Sequence, residues 1–93
     1  MPFITRNGQE KYADVYVRQA GDTLTRTIDF TYDPKMPAET EEFSVAGLTD
    51  YQRSGRVMEL IREVAGPHYT ALWLGRGWKA ELSSGTSVWQ TTS

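Results

Sequence analysis

From Thr23 to Tyr32, apolar and polar side chains alternate. Leu24, Ile28, Phe30 and Tyr32 fall on one side of an extended chain, and Thr23, Thr25, Thr27, Asp29 and Thr31 fall on the other. A period of two is the mark of a strand with one buried face, and threonine suits the exposed pleat because it is both β-branched and polar. Arg26 interrupts the apolar side, where its aliphatic stem can snorkel along the edge.

Upstream, Asn7-Gly8 is a type I′ turn pair, since both positions tolerate positive φ. It predicts an opening hairpin between Phe3 to Arg6 and the segment after Gln9. Tyr12, Val15 and Tyr16 share a helical spacing, but the stretch from Ala13 to Arg18 alternates and is rich in β-branched and aromatic residues. That composition predicts a strand. Downstream, Asp33 to Glu42 contains Pro34, Pro37 and the carboxylates Glu39, Glu41 and Glu42. It reads as an exposed loop leading into a short strand at Phe43 to Ala46.

The period then changes. Val57, Leu60, Ile61 and Val64 recur at i, i+3, i+4 and i+7, the buried stripe of a helix. Thr49-Asp50-Tyr51-Gln52 has the form of a capping box at its start, and Gly66-Pro67 stops it after about Ala65. Gly55 weakens its first turns.

Beyond the helix, Tyr69 to Leu74 and Trp78 to Leu82 form a second hairpin across Gly75-Arg76-Gly77, and a last strand is expected at Thr86 to Gln90. The loop length decides what this hairpin does. A two-residue loop places Trp73 and Trp78 on one apolar face with Tyr69, Ala71, Ala80 and Leu82, under the helix. A three-residue loop with Gly77 left-handed puts Leu72, Leu74, Trp78, Ala80 and Leu82 together instead. Trp73 and Tyr69 then join Lys79 and Glu81 on an exposed aromatic face with a charged rim. The pattern leaves both open.

The expected architecture is α+β, an antiparallel sheet of about six strands packed against one helix in the order β-β-β-(β)-α-β-β-β. At 93 residues the chain has room for one core and reads as a single domain over 1–93. It has no cysteine, so disulfides, thiolate metal sites and thiol nucleophiles are excluded. The segment Met1 to Arg6 lacks the apolar run of a signal peptide, and Ala71 to Leu74 is too short to span a bilayer. A cytoplasmic chain without membrane contact is expected. The formal charge is −2 and no basic cluster is present, so duplex nucleic acid is not an expected partner.

A search for chemistry returns little. His68 is the sole histidine and has no local group to orient it, Gly-x-Ser-x-Gly is absent, and Glu39, Glu41 and Glu42 lack the spacing of a calcium loop. No catalytic residue, metal ligand or cofactor is predicted. The residues singled out are those of partner contacts: Tyr69, Trp73, Arg76, Trp78 and Lys79 on the aromatic hairpin, Arg53 beside the helical stripe, and Glu39, Glu41 and Glu42 as an acidic contact. Tryptophan, tyrosine and arginine are the usual anchors of protein interfaces. The expectation is a non-enzymatic protein-binding module of the kind phages and mobile elements use as small inhibitors, anti-CRISPR proteins included. That expectation rests on size and composition, with no motif behind it. The alternatives are a single-stranded nucleic-acid binder using the aromatic strands and a small-ligand protein or enzyme without a visible motif. Homodimerisation through an edge strand is a further option.

Overall fold

A computed structural model describes residues 2–83. The elements run β1 (Phe3–Arg6), β2 (Gln9–Tyr12), β3 (Asp14–Ala20), β4 (Thr23–Asp29), β5 (Glu39–Ser44), α1 (Asp50–Ala65), β6 (Tyr69–Trp73) and β7 (Trp78–Leu82). β1 and β2 pair as a separate hairpin. The other strands form one antiparallel sheet in the order β5-β4-β3-β7-β6. The α+β architecture is therefore as the sequence predicts. The strand expected at Thr86 to Gln90 lies outside the described residues.

Local chemistry sets the boundaries. Asn7 and Gly8 both take positive φ, 54° and 78°, which closes the β1–β2 turn. Thr49 accepts a hydrogen bond from the Gln52 amide while the Gln52 side chain accepts one from the Thr49 amide, the reciprocal pair of a capping box. Gly66 ends the helix at φ 104°, where its N–H still donates to the Arg62 carbonyl. A side chain there would strain the backbone.

The sheet register sorts the faces. Val15 pairs with Ile28, Val17 with Arg26, and Val17 again with Trp78. These positions and Leu24 and Ala80 point toward α1, whose Val57, Leu60 and Ile61 complete the core with Phe30 and Val45. Burying each such aliphatic side chain contributes about 1.5–3 kcal/mol relative to leaving it exposed. The opposite face carries Tyr16, Arg18, Thr23, Thr25, Thr27, Glu42 and Lys79, and apart from Asp14 its side chains are half-buried or exposed.

Three expectations are corrected. Arg26 does not snorkel at an edge, because β4 is an interior strand flanked by β3 and β5. Only 7% of the residue is exposed. Its Nη1 donates to the Leu60 carbonyl (3.0 Å) and to Glu63 Oε1 (2.6 Å), its Nη2 donates to Glu41 Oε1 (3.1 Å), and its Cζ lies 5.1 Å from the Phe43 ring centroid. A buried charge needs such satisfaction.

Glu39 to Glu42 belong to a strand rather than a loop. Backbone pairing from Thr23↔Ser44 to Ile28↔Glu39 builds β5, and as an edge strand it tolerates polar side chains on both faces. Tyr32 leaves the apolar row, because the chain turns after Asp29, and is 70% exposed.

Candidate functional site

The β6–β7 hairpin is closed by the two residues Gly75-Arg76, with the Leu74 amide donating to the Gly77 carbonyl at 2.8 Å. Gly75 has φ 84°, and the non-glycine Arg76 has no positive φ, so the turn is of the type II′ class with glycine at its first central position. Gly77 serves another purpose. A Cβ there would sit 2.6 Å from the Val17 carbonyl oxygen and 3.0 Å from Arg18 Cγ, so only glycine lets β7 approach β3 closely and lets the Arg18 stem lie over it.

The two-residue register is thus the one formed, pairing Trp73 with Trp78, Ala71 with Ala80 and Tyr69 with Leu82. Because Leu74 and Gly77 share a hydrogen bond, Trp73 and Trp78 form the adjacent pair without backbone bonds, in which side chains come closest. Their ring centroids lie 4.8 Å apart. The core placement that this register implies for both tryptophans holds only for Trp78, which is half-buried against the core. Trp73 is 57% exposed.

Beside this pair lies a cleft of about 240 Å³ lined by Tyr16, Arg18, Leu74, Arg76, Gly77 and Trp78. The Tyr16 hydroxyl donates to Asp14 Oδ2 (3.2 Å), which also accepts from Thr31 Oγ1 (3.3 Å). Burial, and then the charge of Asp14, raises the Tyr16 phenol above its ordinary value. Asp14 is 8% exposed; its Oδ1 has no hydrogen-bond partner among the described residues and faces Lys79 Nζ at 3.8 Å.

The residues expected to make partner contacts separate into groups. Trp73, Arg76 and Trp78 gather at the hairpin tip. Lys79 points to the opposite face toward Asp14, and Tyr69 is half-buried, its carbonyl accepting from Arg62 Nε at 2.9 Å. Arg53 pairs with Asp50 in the first turn of α1. Glu39, Glu41 and Glu42 lie on β5, at the far edge of the sheet from β6. Glu39 receives a two-pronged hydrogen bond from Arg6, whose guanidinium holds it below the ordinary carboxylate range, and Glu41 receives one from Arg26. Glu42 remains exposed.

Sequence reasoning missed Tyr16, Arg18 and Leu74, which reach the cleft through the β3–β7 pairing. It also missed a second exposed aromatic group. Phe3 stacks on Tyr12 at 4.2 Å between centroids, and Tyr12 meets Tyr32 edge-on at 5.9 Å. No family model matches the chain, and comparison with curated proteins and with solved structures gives no significant match. Among the described residues no helix is long and apolar enough to cross a membrane.

Proposed function

We propose that this chain is a non-enzymatic protein-binding module that engages another cytoplasmic protein through the tip of the β6–β7 hairpin and acts by occupying that partner's surface, as small inhibitors do. The observation that carries this reading is the exposed Trp73 ring, held against Trp78 beside a cleft containing Arg18 and Arg76. A rigid aromatic pair costs little conformational entropy on binding, and truncation of such an anchor typically weakens a complex by about 2 kcal/mol or more.

Self-pairing of the sheet edges fits less well. Arg62 already occupies the Tyr69 carbonyl on the outer side of β6, and β5 exposes Glu42 in a strand of three glutamates. The reading is tested by affinity capture of the tagged chain from lysate of its source cells, with and without nuclease. The expected result is a stoichiometric protein retained after nuclease. Retention that disappears with nuclease overturns the proposal in favour of single-stranded nucleic acid.

A further inference from the structure

We infer that the cleft beside the hairpin tip binds a carboxylate of the partner's chain, gripped by Arg18 and Arg76, with the apolar residue next to that carboxylate laid against Leu74 and Trp78. This deepens the protein-binding reading and rests on it.

The first support is an asymmetry among the arginines. Arg6 bonds Glu39, Arg26 bonds Glu41, Glu63 and the Leu60 carbonyl, Arg53 bonds Asp50, Arg56 bonds Glu59, and Arg62 bonds the Tyr69 carbonyl. Among the described residues Arg18 and Arg76 alone of the arginines have no acceptor, and both line the same cleft.

The second support is the lining itself. Among the described residues no acidic side chain lines the cleft, and the Tyr16 hydroxyl is committed to Asp14, so Tyr16 offers a ring wall rather than a further donor. Leu74 and Trp78 give the cleft an apolar side, and the guanidinium fork matches a carboxylate in shape.

Size selects among anions. About 240 Å³ accepts one or two side chains and is smaller than the usual small-molecule pocket. Two arginines at one point do not make a basic track along a phosphate backbone. Glu42 of β5 shares the Arg18 face of the sheet but stands two strands away from it, beyond Thr25.

The test uses an array of eight-residue peptides in which Asp or Glu adjoins Leu or Phe, with blocked ends. Each is matched by its Asn or Gln version, and a second set ends in a free carboxylate to separate a chain end from a side chain. Binding to the whole protein is read by tryptophan fluorescence. Acidic members, of either carboxylate source, should bind at least about 10-fold more tightly than their amide versions, the size of a charge-assisted contact. Arg76→Gln and Arg18→Gln, each confirmed as folded by circular dichroism, should erase that preference.

Equal binding of acid and amide peptides, or no binding of any acidic member, overturns the inference while leaving the protein-binding proposal to the capture experiment. An oligothymidylate that binds more tightly than every peptide and depends on Trp73 and Arg76 overturns both.

Discussion

Trp73 and Trp78 stand opposite one another across the β6–β7 ladder, 4.8 Å apart at their ring centroids, yet one supports the core and the other faces solvent. They are chemically identical neighbours with different work to do. Trp78→Ala should destabilise the fold by about 2–3 kcal/mol, because it empties a position packed between Val17 and the core. Trp73→Ala should cost less than about 1 kcal/mol. Urea unfolding of the two variants checks the difference, and equal losses contradict it.

Gly77 and Gly55, neither of which has a positive φ, should respond in opposite directions. Gly77→Ala places a methyl group 2.6 Å from the Val17 carbonyl oxygen and should cost about 1–3 kcal/mol. Gly55→Ala, inside α1 with nothing within 4 Å of the new methyl, should add about 0.5–1 kcal/mol. Thermal melts of both variants measure the contrast.

Arg26 ties the centre of the sheet to the last turns of α1, and its loss should be felt in the whole fold. Arg26→Ala removes the donors to Leu60, Glu63 and Glu41 and one of the two cations over Phe43, leaving Arg56. Its acidic partners are partly in water and recover hydration, so the expected cost is about 2–3 kcal/mol rather than the full loss of a buried pair. Chemical denaturation at neutral pH measures it.

These pairs also set the response to acid. The hydrogen bond from Arg26 lowers Glu63 below its ordinary value, and that from Arg6 lowers Glu39. A carboxylate whose pKa is lower in the folded state adds stability at pH above its unfolded value, and this contribution is lost as pH falls through the folded value. Stability should therefore be level above about pH 5 and fall below about pH 4.5. In Arg26→Met the fall should be shallower, because Glu63 then loses the hydrogen bond that lowers it most and keeps only the weaker pull of Arg56. Denaturation midpoints from about pH 3 to pH 7 follow both curves, and identical slopes contradict the assignment.

Much of the fold was legible along the chain. The Asn7-Gly8 turn, the capping box at Thr49 and Gln52, the helix stop at Gly66 and the alternation from Thr23 to Asp29 are local signals, and each has the structure its chemistry predicts. Nonlocal pairing was not legible. Glu39 to Glu42 look like a loop because their strand character comes from β4, and Arg26 looks like an edge residue until β5 is placed beside it.

The candidate site shows the same division. Trp73, Arg76 and Trp78 were visible as a local aromatic hairpin, whereas Tyr16 and Arg18 join them only through β3. The signal for that contact was present in Gly77, which is not needed for the turn and is needed for the close approach of β3.

On the proposed function, the hairpin tip and not the Phe3–Tyr12–Tyr32 cluster meets the partner. Capture from nuclease-treated lysate of the source cells with Trp73→Ala and Tyr32→Ala, run beside the unaltered chain, separates the two surfaces directly. The partner should be lost with Trp73→Ala and retained with Tyr32→Ala. Retention by Trp73→Ala together with loss by Tyr32→Ala would contradict it and move the interface to the β1–β2 side.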